Sequence, residues 1–108
     1  MKFDINEVLA QMASAVKNTV AENWGAAQTV VNQFLQNKKD RLQLLAELRI
    51  NGDITQERFE SRLEDEKLIA EAEFHAIAVI TKATAQKAAN AVIQVLEDAV
   101  GAIIKSAV

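Results

Sequence analysis

The sequence predicts an all-α protein, a long antiparallel helical hairpin that pairs with a second copy into a four-helix bundle. Three observations predict it. Helix-forming residues dominate the 108 positions, with no proline and only three glycines. Apolar residues recur at steps of three and four through both halves. One strong stop-and-start signal, Asn51-Gly52-Asp53, falls almost at the midpoint.

The first arm, residues 4–50, opens on a capping box. Asp4 can accept from the free N–H groups of the first turn, and Glu7 lies three residues on. Phe3 and Val8 flank them at the spacing of a hydrophobic staple. An apolar stripe follows: Ile5, Leu9, Met12, Val16, Val20, Asn23, Ala27, Val30, Phe34, Arg41, Leu45 and Leu48. It passes Gly25 without a jump in phase, and a lone helical glycine costs only about 1 kcal/mol relative to alanine.

Gly52 can take the left-handed conformation that ends a helix. Asp53 is expected to cap the next one, with Gln56 completing a box-like pair. Asn-Gly also suits a two-residue β-hairpin, but helical periodicity resumes on both sides. The second arm, residues 54–106, carries Phe59, Leu63, Ala70, Phe74, Ile77, Thr84, Ala88, Ala91, Val95, Ala99 and Ala102 on one drifting face. From Ala88 to the end the apolar arc widens to take in Val92, Ile93, Leu96, Val100, Ile103 and Ile104. One partner helix covers only a narrow seam of such an arc.

Unbroken, each arm would run roughly 70–80 Å at 1.5 Å per residue. Stripes that long need a second hairpin to cover them, so a homodimer is expected. Its interface is expected at Val92, Val95, Leu96, Ala99, Val100 and Ile103. The alternative is a compact monomer of four short helices, with further breaks near Gly25 and between Thr81 and Thr84. Either way the chain reads as a single helical domain over residues 1–108. Charge concentrates around the turn: residues 36–75 hold seven basic and ten acidic side chains, and the remainder holds five of each. In the long hairpin that makes a charged tip opposite an apolar end holding both termini.

Net charge is −3 with no basic tail, which argues against nucleic acid. Cysteine is absent, so there is neither a disulfide framework nor thiolate chemistry. Asp4 and Glu7 stand where a secretory leader needs positive charge, and no uninterrupted apolar run follows. The most apolar stretch, residues 76–96, is interrupted by Lys82 and Lys87, so no membrane span is expected. A cytoplasmic protein fits these features.

Candidate chemistry is sparse. His75 is the single histidine, four residues after Glu71. Carboxylate-bridged metal sites of four-helix bundles use Glu-x-x-His, and here Ala72 occupies the glutamate position, so a solvated Glu–His pair is expected and no metal. Lys38, Lys39 and Arg41 form a small basic patch containing Asp40, without the stacking aromatics of a nucleic-acid surface. Glu64-Asp65-Glu66, beside Arg62 and Lys67, reads as an exposed acidic face. No Ser/His/Asp set or Gly-rich phosphate loop is in view, so neither enzyme nor cofactor is expected. Trp24-Gly25 lacks the middle residue of the Trp-x-Gly that small secreted helical hairpins carry at their turn, and Trp24 is expected to pack.

Residues 45–59, from Leu45 to Phe59, resemble the SHOCT motif, a short helical hairpin found near the C-termini of many bacterial proteins. The shared elements are the leucines before the turn, Gly52, Ile54-Thr55, Glu57 and Phe59. The resemblance covers about 20 of 108 residues, and this chain continues about 45 residues beyond it. It implies oligomerisation or protein binding and brings no catalytic residues. The expected function is a non-enzymatic structural or protein-interaction module that self-associates through its helical arms. The alternative is an amphipathic coat on a lipid or polymer surface, resembling phasins in its Ala-rich helices. Against it, the polar faces are not rich in Lys and Arg.

Overall fold

The computed structural model describes residues 3–106, so Met1, Lys2, Ala107 and Val108, the last two at the end of the apolar arc, lie outside the described residues. Four α-helices follow one another: α1 Ile5–Val20, α2 Trp24–Ile50, α3 Gln56–His75 and α4 Lys82–Ser106. A 3₁₀ turn, Ala21–Asn23, joins the first two. The described residues contain no strand, so the chain is all-α.

The long arms are not there. Each folds back on itself, and the whole measures 43 × 23 × 20 Å. This is the compact arrangement of four helices that was the alternative to the long hairpin. The helices surround one core in the cyclic order α1, α2, α3, α4, with each neighbouring pair in contact. Contact between α2 and α4 closes the diagonal, and α1 does not approach α3. The reason is the wide apolar arc of α4. Folding back brings α1 and α3 against α4 from two sides, burying in one chain what a long hairpin would leave for a partner.

Both breaks sit beside the expected places. Gly25 lies inside α2; the chain turns at Ala21, whose φ of 51° and ψ of −118° suit glycine rather than an L-residue. The break lets Val16 and Val20 on one side, and Ala27 and Val31 on the other, enter the same core. Between α3 and α4, Ile77 and Ile80 fold inward through a backbone bond of 3.0 Å from the Ile80 N–H to the Ile77 carbonyl. Thr81 then caps α4, its Oγ1 accepting from the Thr84 N–H at 3.1 Å.

At the central turn, Gly52 stands at φ 80°. Its N–H donates to the Arg49 carbonyl at 3.1 Å, and the Asp53 N–H donates to that of Leu48 at 2.8 Å. These are the two bonds of a Schellman motif. Asp53 lies two residues ahead of the first capping position and does not cap α3. Thr55 does, accepting from the Arg58 N–H at 3.1 Å. Asp4 caps α1 as expected, accepting from the Asn6 N–H at 3.0 Å.

Three substitutions follow. Ala21→Gly relieves a strained backbone and should stabilise the protein by about 1 kcal/mol. Gly25→Ala meets nothing within 4 Å in a helix and should stabilise it by about 0.5–1 kcal/mol. Gly52→Val strains a left-handed position and should destabilise it by about 1–2 kcal/mol. Urea unfolding ranks all three.

Candidate interaction surfaces

The six residues expected at a dimer interface are largely interior. Val92, Leu96 and Val100 are 2 %, 0 % and 1 % exposed, and Ile103 is also buried. Val95 and Ala99 are half-buried at the edge of the same helix. The expected interface therefore belongs mostly to the core. Of the turn residues, Asn51, Gly52 and Asp53 are all exposed.

The outer surface carries other features. Where α2 meets α3, the buried Glu66 lies between Lys38 and Arg41. This corrects the reading of Glu64-Asp65-Glu66 as an exposed face: Glu64 and Asp65 are exposed, and Glu66 is not. Arg41 Nε donates to Glu66 Oε1, and Lys38 Nζ lies 3.5 Å from Oε2. Oε2 is buried and accepts no hydrogen bond. A buried carboxylate costs several kcal/mol of desolvation, so these cations are what keep Glu66 tolerable there. The signal was present in the stripe. Phe59, Leu63, Ala70 and Phe74 leave a vacancy at helical spacing, and Glu66 fills it. On α2 the matching position is Arg41, an oddity among apolar neighbours.

Around Glu66 opens a cleft of about 180 Å³, lined by Leu44, Leu45, Leu48 and Ile54 with Arg41 and Arg62. Leu44 is 59 % exposed. Further along the same seam Val30 and Ile69 are also exposed, above the edge-to-face pair Phe34–Phe74, whose ring centroids are 5.3 Å apart. Among the described residues, Arg58 and Arg62 form no ion pair.

A second cleft, about 490 Å³ and more open, lies between α1 and α4. Phe3, Val95 and Ala99 give it an apolar floor, and Asp4, Glu7 and Asp98 make it acidic. Asp4 and Glu7 also border Gln43 of α2, so this cleft and the first lie at the same end of the bundle. The first turn of α1 and the last turns of α4 thus lie toward the end of the bundle that holds the Asn51–Asp53 turn, not at the opposite end as the long hairpin requires.

Nearby, burial raises the Glu97 carboxyl above its ordinary 4.5, helped by the charges of Glu60 and Asp98. The folded chain then binds this proton more tightly than the unfolded chain, so stability falls as pH rises above 4.5 through the folded-state value. Glu97→Gln should raise Tm slightly at about pH 7 and lose that advantage in acid, as melts across the range will show.

His75 is exposed near the end of α3 and Glu71 is half-buried. Among the described residues no three His, Cys, Asp or Glu side chains gather as metal ligands do. Trp24 packs half-buried against the core. No helix of the described residues is long and apolar enough to cross a membrane. The chain matches no protein-family model, no curated protein and no solved structure.

Proposed function

We propose that this protein is a non-enzymatic helical module that works by protein–protein contact, including contact with its own copies. The observation that carries the reading is the seam between α2 and α3, where exposed Leu44, Val30 and Ile69 stand beside charged groups on a folded surface. Apolar side chains gathered in a rimmed cleft are what interfaces use, whereas scattered ones need no explanation. The resemblance of residues 45–59 to SHOCT hairpins supports the same reading, because the cleft is built on that segment: Leu45, Leu48 and Ile54 line it. A cytoplasmic setting accords with a chain free of cysteine.

The structural ground for self-association is thus not the arc of α4 but the outer seams of the bundle. Sedimentation velocity across micromolar concentrations tests it. The reading expects a sedimentation coefficient that rises with concentration, and no binding to liposomes in a flotation assay. A protein that stays monomeric and floats with liposomes would favour the amphipathic coat instead.

A further inference from the structure

The connection between α1 and α2 turns at Ala21, at φ 51° and ψ −118°. Around it the backbone is already near helical: Val20 stands at φ −86° and ψ −15°, Asn23 at φ −85° and ψ 0°, and Trp24 at φ −57° and ψ −40°. An alanine held in that region is strained, and helical torsions relieve it. No side chain caps the 3₁₀ turn or the start of α2, whereas Asp4, Thr55 and Thr81 cap the other three helices. The apolar stripe crosses the break in phase: Val16, Val20, Ala27 and Val31 are buried, and half-buried Asn23 and Trp24 fill the step between. Finally, α1 packs on α2 and α4 and does not reach α3.

From these features we infer that two copies of the chain exchange α1, with Ala21 as the hinge. Ala21 swings to helical torsions, and α1 and α2 run on as a single helix from Ile5 to Ile50. The α1 of each chain then fills the slot on α2 and α4 of the other. The occupant is a second copy because the vacated slot fits that helix, burying the same Ile5, Leu9, Met12 and Val16 that α1 buries in the single chain. The core contacts of the bundle are remade between chains, so the hinge and the cost of bringing two chains together decide the balance. Short hinges under strain favour exchange for that reason. Straightening also lets the last carbonyls of α1 and the first N–H groups of α2 bond to one another. The exchange needs neither outer cleft, so it goes beyond the seam contacts proposed above and does not depend on them.

The experiment unfolds the full chain in urea, refolds it at high protein concentration, and separates monomer from dimer by gel filtration. Gln11→Cys/Asn37→Cys, at exposed positions of a chain without native cysteine, carries a pair of spin labels. Labelled chains are diluted into unlabelled ones, so that the distance read lies within one chain. With α1 folded back on α2 the labels stand within about 20 Å, and along one straight helix they stand roughly 39 Å apart. The monomer should give the short distance and the dimer the long one. Ala21→Gly should lower the dimer yield at least about tenfold, since glycine relieves the hinge and weakens the straight helix. Gly25→Ala, helical in both forms, and Leu44→Glu, outside the exchanged contacts, should leave the yield near that of wild type. Three results would overturn the inference. A dimer that keeps the short distance removes it and leaves the seam contacts standing. A dimer yield unchanged by Ala21→Gly removes the hinge on which it rests. A chain that refolds only to monomer removes it as well, and the seam reading is then decided separately by sedimentation of the native protein.

Discussion

Leu96→Asp is expected to unfold the protein, not to release folded monomers from an assembly. Leu96 is wholly buried, between helices that pack on α4 from either side. A carboxylate there has no cation to meet it, because the one buried charged residue among those described, Glu66, is an acid. An unpaired charge in a dry core falls in the most destructive class of substitution, beyond about 4 kcal/mol. For a domain of this size that approaches the total stability of about 5–15 kcal/mol. Asn90→Asp, exposed on the same helix, should stay within about 0.5 kcal/mol of wild type. Circular dichroism and urea unfolding compare the two. If α4 were instead the seam of a dimer, Leu96→Asp would leave a helical, cooperatively folding monomer, and that outcome would contradict the fold.

The second large effect belongs to Glu66. Lys38→Met/Arg41→Met leaves its carboxylate buried without a cation and should cost about 2–4 kcal/mol. The lower end of that range reflects Arg41, whose side chain is 59 % exposed and partly hydrated. Adding Glu66→Leu to the double variant should recover most of the loss. A leucine at that position would continue the stripe of Leu63 and Ala70, and a well-packed apolar side chain is often as stable as the ion pair it replaces. If the triple variant is no better than the double, Lys38 and Arg41 contribute through their aliphatic stems rather than by charge.

Much of this architecture was legible in the residues. Helical periodicity, the Asp4 cap and Gly52 each point to a feature the bundle contains. What the periodicity could not reveal is where a helix stops without glycine or proline. Ala21 carries no local sign of a turn; tertiary packing holds it at positive φ because α1 must return along α4. The α3–α4 break has a partial signal in the β-branched Ile77, Val79, Ile80 and Thr81, residues that weaken a helix without forbidding it. Local preference therefore left two architectures open, and the length of the stripe favoured the extended one.

The same ambiguity displaced the expected interface. A wide apolar arc is needed equally by a helix facing a second chain and by one buried among three helices of its own. Val92, Leu96 and Val100 satisfy either description. The outer clefts were harder to read, because each draws residues from two helices far apart in sequence. Glu66 and Arg41 are 25 positions apart, and Asp4 and Asp98 lie near opposite ends of the chain. Only the order in which the helices pack brings them together.

Small-angle X-ray scattering, extrapolated to zero concentration so that assembly does not contribute, separates the folded-back bundle from the extended hairpin. The bundle has a Cα radius of gyration of 13.8 Å, and scattering should return a value close to it, slightly larger for the hydration layer. An extended hairpin with arms of roughly 70–80 Å would give about 20 Å or more. That larger value at infinite dilution would contradict the bundle, return Leu96 and its neighbours to an intermolecular seam, and dissolve both clefts.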